Sequence, residues 1–284
     1  MKGNAVFLDT TIQIARFFRE KELKDKINKR LSEYSITVTS SVVLQEFKRR
    51  ILSEAIYLLN QLNDKGSYQA VSRHISNVLL HPGHHRKQQI CLQLLHTIFE
   101  KENSPITDED LTERAKSYLR TLLKHGIGFF LKKVDHLLEG TNCYLSQKRI
   151  VEKEPYKRYE LVGGKSCSGT NGKCEIVQFL VDNHGKCKLL LEFLKKYPSN
   201  ETTDEIKNSI NFLDKFIEGQ SDIRNDDPCL TVGDLLIALE SAPIPVFYTM
   251  NYQESKFFCK FLEQTLIIRP NSPQKDDKIE NHYL

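Results

Sequence analysis

The sequence predicts an α/β domain with a mostly parallel sheet, interrupted in the chain by a long, mostly helical insertion. At both ends, short runs of β-branched and apolar residues alternate with stretches of helical periodicity, which is typical of strands joined by helices in a parallel sheet. Between these ends the apolar residues recur at helical spacing. We therefore expect a core split between residues 1–62 and 221–270, an insertion at 63–220 and a disordered tail at 271–284.

The two halves of the predicted core contain clear signals for individual elements. The first apolar run stops at Asp9, and Ser40 offers a helix N-cap just before a long stretch of helical periodicity. The elements expected in the N-terminal half are strands at 5–8 and 35–39 and helices at 12–29 and 43–62. In the C-terminal half they are helices at 231–240 and 255–263 and strands at 245–249 and 266–268.

The insertion is expected to consist of helices with one irregular part. The helices are expected near 68–80, 86–101, 108–139, 175–197 and 203–218. Gly126 and Gly128 are expected to break or bend the third of them. Glycines and a proline disturb the pattern between about 140 and 174, so we expect a loop-rich part within 140–190.

Composition favours a globular protein of the cytoplasm. Of the 284 residues, 39% are hydrophobic and 27% are charged, which is enough apolar material for a core. No apolar run reaches the ~18–20 residues of a membrane span, and no signal peptide is evident. Seven cysteines without a secretory signal favour reduced thiols. We expect no membrane association.

Charge is distributed unevenly along the chain, although the net charge is only +4. Residues 1–52 carry +5 and residues 53–200 carry +6, whereas residues 201–284 carry −7. A basic surface beside an acidic one suits a polyanionic substrate that is delivered to a carboxylate cluster. Chance variation among surface charges is an equally simple explanation.

Four oxygen-bearing side chains are placed to meet at one edge of the predicted sheet. Asp9 follows the first strand, and Asn251 follows the strand at 245–249. Glu46 lies early in the helix after the second strand. Asp234 lies in the first turn of the helix that precedes the strand at 245–249. Ligands in open parallel sheets bind at the carboxyl ends of the strands. Clustered oxygen ligands suit Mg²⁺ or Mn²⁺, which can activate water for attack on a phosphoryl group.

The segments around these residues resemble those of PIN-domain nucleases, in the same order along the chain. The segments are Val6–Thr11, Ser40–Phe47, Leu230–Ala238 and Tyr248–Asn251, the last followed by Phe257. The resemblance covers roughly 1–55 and 226–270. It implies a parallel α/β/α sandwich and metal-dependent endonucleolytic cleavage of RNA, with Asp9, Glu46 and Asp234 holding Mg²⁺ or Mn²⁺.

The chain departs from the pattern of that family in two ways. Asn251 stands where many members have Asp, and Glu254, three residues later, is an alternative donor. The insertion is also far longer than a compact ribonuclease of the family carries. These departures leave a second interpretation open, in which a catalytically weakened protein binds nucleic acid or acts as a scaffold of a ribonucleoprotein complex. A protein partner would then dock on the helical insertion.

Each candidate residue also has an ordinary structural interpretation. Asp9 can cap the helix that follows it, and Glu46 can be a solvated helix residue. Asp234 can belong to a capping box with Thr231, and Asn251 can serve a turn. These interpretations are compatible with metal ligation.

Two further groups of residues are candidates for zinc and RNA binding. Four soft ligands lie close together in sequence, at Cys167, Cys174, His184 and Cys187. They could hold a structural Zn²⁺ if Asn183, His184 and Gly185 break the surrounding helix, and otherwise the cysteines are buried or exposed free thiols. The cations expected to contact RNA are Lys48, Arg49, Lys148, Arg149, Lys157 and Arg158. Arg49 and Lys48 are expected on the exposed side of their helix.

Overall fold

The structure, a computed structural model of the chain, describes residues 5–18, 21–78, 85–99, 107–141, 149–153, 158–162, 175–219 and 232–268. Within these ranges the strands are β1 (Ala5–Leu8), β2 (Ile36–Ser40), β3 (His136–Leu138), β4 (Arg149–Lys153), β5 (Arg158–Val162), β6 (Val246–Thr249) and β7 (Thr265–Ile268). The helices are α1 (Thr10–Phe18), α2 (Lys21–Leu31), α3 (Ser41–Phe47), α4 (Ser53–Lys65), α5 (Tyr68–Val78), α6 (His85–Phe99), α7 (Asp108–Lys132), α8 (Glu175–Asp182), α9 (His184–Leu194), α10 (Asp204–Ile217), α11 (Gly233–Ser241) and α12 (Tyr252–Phe261). A π-helical turn at Lys48–Leu52 joins α3 to α4.

The central sheet of the described residues has five parallel strands in the order β3-β2-β1-β6-β7. β1 lies in the middle, where Phe7 is aligned with Val38 of β2 and with Phe247 of β6. On one side of β1 the chain adds β2 and then β3, and on the other side it adds β6 and then β7. The direction in which successive strands are added to the sheet therefore reverses between β1 and β6. The predicted α/β class with a parallel sheet is confirmed.

Helices cover both faces of this sheet, because alternate strand residues point to opposite sides. Val6 and Leu8 pack in a cluster with Ile12 of α1 and Ile27 of α2. Phe7 belongs to a larger cluster that includes residues of α3, α4, α11 and the helices between residues 68 and 217. This three-layer arrangement is compatible with an α/β/α sandwich, and the predicted insertion shares its core.

The predicted insertion also contributes to the sheet, since residues 136–138 form β3. The prediction of a helix to residue 139 is therefore wrong, and α7 ends at Lys132. The carboxylate of Asp135 accepts hydrogen bonds from the backbone nitrogen and hydroxyl of Thr37 at 2.7 and 2.8 Å. The backbone nitrogen of Asp135 donates to the carbonyl of Thr37 at 2.8 Å. These bonds to β2 compete with continuation of the helix and start β3.

Gly126 and Gly128 lie inside α7, which continues through both, so they do not break the helix. A Cβ atom at position 126 would lie 3.1 Å from Cδ1 of Leu122 and 3.3 Å from Cδ2 of Leu52. Gly126 therefore allows α7 to pack closely against the π-helical turn. At Gly128 an added Cβ would meet no atom within 4 Å.

Other predicted elements are divided or replaced. The helix predicted at 12–29 is two helices, α1 and α2, and the helix predicted at 175–197 breaks at Asn183, whose amide donates to the carbonyl of Phe179 at 2.8 Å. Strands β4 and β5 form an antiparallel hairpin within the part expected to be loop-rich. The tail at 271–284 lies outside the described residues. None of the helices that the structure describes is long and apolar enough to cross a membrane.

Candidate functional site

The candidate site lies at the carboxyl end of the sheet, where the winding reverses between β1 and β6. Asp9 directly follows β1, and Thr249 ends β6. The hydroxyl of Thr39 on β2 donates to the carbonyl of Leu8 at 2.9 Å and fixes the end of β1 from the other side. Ligands of open α/β sheets bind in the crevice at such a switch point.

Asp9 is 6% exposed, and several donors converge on its carboxylate. Oδ1 accepts from the backbone nitrogen of Thr10 at 2.6 Å. Oδ2 accepts from the hydroxyls of Thr11 at 2.8 Å and Thr249 at 2.7 Å. Burial raises the pKa of Asp9, the hydrogen bonds oppose this, and the negative charge of Glu46 adds to it. Asp9 thus caps α1 and also interacts electrostatically with a second acid.

Asp234 lies in the first turn of α11, which begins at Gly233 with Val232 at the N-cap. Thr231, the predicted partner in a capping box, lies outside the described residues. Burial is the main cause that raises the pKa of Asp234 to about 7; the charges of Asp9, Glu46 and Glu254 add to the rise, and Arg50 opposes it. Asp234 and Asp9 line one small pocket together with Phe258. Asp9 and Asp234 therefore share one pocket, and both interact electrostatically with Glu46, whereas joint ligation of an ion by the three acids stays a prediction.

Glu46 is buried at 3% exposure, so it is not a solvated helix residue. Its Oε1 atom lies 3.2 Å from Nη2 of Arg50 and 3.7 Å from Nη2 of Arg49. A Cβ atom on Gly233 would lie 2.9 Å from the same oxygen. The absence of a side chain at Gly233 leaves the space that the Glu46 carboxylate occupies beside the start of α11.

Asn251 and Glu254 both follow β6, and the structure distinguishes their positions. Asn251 is the N-cap residue of α12, but its side chain makes no capping hydrogen bond. Its backbone nitrogen donates to the hydroxyl of Thr249 at 2.9 Å. Glu254 is 8% exposed and raises the pKa of Asp234 through its charge. The acid cluster therefore includes Glu254, which the sequence offered only as an alternative.

The donor set suits a hard divalent cation. Buried carboxylates that repel one another must bind a proton or a cation, and carboxylate oxygens are the ligands that Mg²⁺ and Mn²⁺ prefer. Oε2 of Glu254 is buried and has no hydrogen-bond partner among the described residues. In the same ranges no three His, Cys, Asp or Glu side chains form a ready-made ion site. Ion binding by these acids would therefore require a rearrangement of their side chains.

Glu240 is a buried acid that the sequence analysis missed. Its Oε1 atom accepts from the backbone nitrogen of Thr141 at 2.8 Å and from the hydroxyl of Ser41 at 3.1 Å. Its Oε2 atom accepts from the backbone nitrogen of Val42 at 3.3 Å. Glu240 therefore satisfies donors at the start of α3 and fixes the helix that carries Glu46. The available signal was an acid near the C-terminal end of a helix that is apolar between Asp234 and Glu240.

The cations predicted to contact RNA occupy different environments. Lys48 is only 5% exposed, and burial lowers its pKa to about 8, so the prediction that it lies on the exposed side is wrong. The π-helical turn, which begins at Lys48, changes the helical register there. Arg49 forms an ion pair with Glu46, so it does not belong to a basic surface separate from the acid cluster. Arg158 on β5 is exposed, and its Nη2 atom donates to both carboxylate oxygens of Asp64 at 3.0 and 3.1 Å. Lys148, Lys157 and the side chain of Arg149 lie outside the described residues.

The predicted zinc ligands are only partly described. Cys167 and Cys174 lie outside the described residues. Cys187 is fully buried in the large apolar cluster, and burial raises its pKa to about 11, which disfavours the thiolate form. His184 is exposed, and its ring lies 5.7 Å from that of Phe216. Zinc binding stays a prediction, and the environments of Cys187 and His184 do not favour it.

The geometry is the basis of any functional inference for this chain, because a comparison with protein-family models, curated proteins and solved structures finds no match.

Proposed function

We propose that the protein is a metal-dependent endoribonuclease whose active centre is the acid cluster at the carboxyl ends of β1 and β6. The observation that carries the proposal is the grouping of Asp9, Glu46 and Asp234 from three distant segments, where burial first, and then the charges of Asp9 and Glu46, raise the pKa of Asp234 to about 7. Such mutual repulsion costs stability, and a bound cation relieves it. RNA is the proposed substrate because the segments around these residues resemble those of PIN-domain nucleases.

In this proposal Asp9, Glu46 and Asp234 hold Mg²⁺ or Mn²⁺, and Asn251 orients ligands or water. The ion would polarise a phosphoryl oxygen and lower the pKa of a water molecule for in-line attack. The chain's own residues prepare the site. Thr11 and Thr249 orient the Asp9 carboxylate, and Arg50 holds that of Glu46.

The β4–β5 hairpin is the proposed guide for the RNA strand. The Asn60 amide pairs with the backbone of Tyr159, donating to its carbonyl at 3.4 Å and accepting from its nitrogen at 3.3 Å. This places the hairpin along α4, roughly 20 Å along the helix axis from Glu46 at about 1.5 Å per residue. Arg158 on this hairpin would supply positive charge for an RNA strand that also passes Arg49.

Cleavage of labelled RNA tests the proposal directly. We expect the purified chain to cut linear and circular RNA with Mn²⁺ or Mg²⁺ and to stop with EDTA. Asp9→Asn and Asp234→Asn should lower the rate at least 100-fold, on the order of a lost catalytic ligand. Asp25→Asn, at an exposed carboxylate of α2, is the matched control. Undiminished cleavage by the two site variants would refute the proposal.

A second candidate is a non-catalytic protein that binds nucleic acid or acts as a scaffold of a ribonucleoprotein complex. The ion pairs of Glu46 with Arg49 and Arg50 favour this candidate, because the two arginines balance the negative charge of the acid cluster without a metal ion. A protein partner would dock on the helical insertion, where Val181 and Leu189 are exposed. RNA binding without cleavage, unchanged by EDTA, would select this candidate.

A further inference from the structure

We propose that one face of α12, together with the end of α9, is a binding surface for single-stranded RNA beside the acid cluster. This inference rests on the proposed function for the choice of RNA, and it assigns a surface that the sequence analysis did not identify. We name this surface the α12 patch, and it is formed by Tyr252, Lys256, Lys260, Lys196 and Tyr197.

The α12 patch lies next to the pocket that contains Asp9 and Asp234. Another face of α12 lines that pocket, through Ser255, Phe258 and Cys259. Tyr252, Lys256 and Lys260 recur at every fourth residue, so they share one helix face. Since successive residues are about 100° apart around a helix, this face is the neighbour of the pocket face, and it extends for about 12 Å along α12. An RNA strand bound at the acids would therefore pass the patch.

The lysines of the α12 patch lie over aromatic rings and not beside carboxylates. Nζ of Lys256 lies 5.6 Å from the ring centre of Tyr252, and Nζ of Lys260 lies 5.6 Å from that of Tyr197. Neither these two lysines nor exposed Lys196 forms an ion pair within the part of the chain that the structure describes. Contact with an aromatic ring orients a lysine without neutralising its charge. The three ammonium groups are therefore available to phosphates.

Other lysines of the neighbouring helices differ in this respect. Lys195, which directly precedes Lys196, pairs with Asp214 of α10, and Lys207 pairs with Asp204 of the same helix. The positive charge that is left without a carboxylate is therefore concentrated at the α12 patch, on the side of α9 that packs against α12.

Aromatic packing holds the patch in a fixed shape. The ring of Tyr197 lies edge-on to that of Phe257 with 4.9 Å between centroids, and Phe193 of α9 lies 5.6 Å from Phe261 of α12. Tyr197 and Tyr252 are half-buried, so part of each ring is open to solvent. Bases of single-stranded nucleic acids stack on such rings while lysines contact the phosphates. A surface that is ordered beforehand loses less entropy on binding.

The composition of the patch favours a nucleic acid over an apolar protein surface. The exposed large apolar side chains of the described residues all lie outside α12, at Ile36, Phe129, Leu131, Val181 and Leu189. Cations beside phenol rings match the alternation of phosphates and bases in an RNA strand. The patch also adds a contact beyond the hairpin, because α12 connects β6 to β7, whereas α4 follows β2.

Fluorescence anisotropy of the full chain with a labelled single-stranded RNA of about 12 nucleotides, in EDTA, tests the inference without cleavage. We expect the triple variant Lys196→Gln, Lys256→Gln and Lys260→Gln to bind about tenfold or more weakly. The slope of log K against log salt should fall by about 2, because each phosphate contact contributes roughly 0.7. The matched control replaces three exposed lysines of α2, which packs on the opposite face of the sheet, by Lys21→Gln, Lys26→Gln and Lys29→Gln. It should change neither quantity.

Two further variants separate stacking from charge. Tyr252→Leu should weaken RNA binding by about fivefold or more and leave the salt slope unchanged, because stacking on an aromatic ring is not an electrostatic contact with phosphate. The triple replacement of Lys196, Lys256 and Lys260 by Arg keeps the charges, so its affinity and slope should stay close to those of the wild type.

The outcomes separate this inference from the proposed function. Equal affinity and equal slope for the wild type and the triple Gln variant would overturn the inference, as would a wild-type chain that binds no RNA in EDTA. Cleavage of RNA with Mn²⁺ would in either case leave the proposed function intact. Loss of binding in the triple Gln variant of a chain that cleaves no RNA would support the patch and overturn the nuclease. If an oligoglutamate peptide displaces the RNA as well as unlabelled RNA does, and Tyr252→Leu binds normally, the surface takes acidic peptides instead.

Discussion

The hydroxyl of Thr249 at the end of β6 donates a hydrogen bond of 2.7 Å to the carboxylate of Asp9 at the end of β1. The two residues are 240 positions apart in the chain, and their strands are neighbours in the sheet. The same hydroxyl accepts from the backbone nitrogen of Asn251. A single side chain therefore connects the buried acid to the start of α12, which carries Glu254.

Replacing Thr249 with Val should disturb the site more than the shape of the core. The change removes a donor to buried Asp9 and an acceptor for the Asn251 backbone, so we expect a loss of about 1–3 kcal/mol in the free energy of unfolding. Urea denaturation measures this, and Mn²⁺ titration should show weaker binding. The control is Thr97→Val, which removes only a bond to the Gln93 carbonyl within α6. Equal effects of the two changes would contradict the prediction.

The raised pKa of Asp234 predicts how stability depends on pH. Between about pH 4 and pH 7 the folded chain retains a proton that the unfolded chain has lost, since the pKa of Asp234 is about 7 in the folded chain and the ordinary pKa of an aspartate side chain is 3.8. Without divalent metal, the free energy of unfolding should therefore fall as pH rises through this range, by roughly 2–4 kcal/mol at most from this group. Asp9 contributes in the same direction.

The pH prediction has a specific control in Asp234→Asn. This variant lacks the titrating group, so its stability should change less between pH 4 and pH 7 than that of the wild type. Saturating Mg²⁺ should also reduce the pH dependence of the wild-type free energy of unfolding near pH 7, because the ion takes the place of the proton on Asp234. Urea denaturation at several pH values checks both, and parallel curves for the two proteins would exclude Asp234 as the cause.

Adding a methyl group at Gly233 should displace the carboxylate of Glu46. The new Cβ would lie 2.9 Å from Oε1 of Glu46, an oxygen that Arg50 already holds. We expect Gly233→Ala to weaken Mn²⁺ binding several-fold and to lower cleavage. Gly128→Ala is the control, because its Cβ meets no atom within 4 Å and alanine favours a helix over glycine by roughly 0.5–1 kcal/mol. It should stabilise the chain without changing Mn²⁺ affinity.

Replacing Arg50 with Gln should separate folding from ion binding. Buried Glu46 loses its closest ion-pair partner, so the metal-free chain should lose about 1–3 kcal/mol of unfolding free energy. Mn²⁺ should bind more tightly, because a positive charge leaves the acid cluster. Arg30→Gln removes an exposed pair with Glu33 and should cost under ~1 kcal/mol. Weaker Mn²⁺ binding in Arg50→Gln would show that Arg50 orients Glu46 for the ion.

The sequence alone predicted much of the frame that positions the site. The apolar runs that became β1, β2, β6 and β7 lie within one or two residues of their predicted limits. Ser40 caps α3 as expected, accepting from the backbone nitrogen of Val43. Asp9, Glu46 and Asp234 were identified because each lies near the end of a strand or the start of a helix, and parallel pairing brings such positions to one edge.

Tertiary structure decided the features that depend on contacts between distant segments. β3 exists because Asp135 bonds to Thr37, 98 residues earlier, and the sequence around Asp135 reads as the end of a helix. Lys48 is buried because a π-helical turn rotates it, and the charge of Glu254 acts on Asp234 because α12 packs beside α11. Periodicity in the sequence reports which residues of one element share a face. Which other element covers that face, and which charges meet there, is determined by the packing of the whole chain.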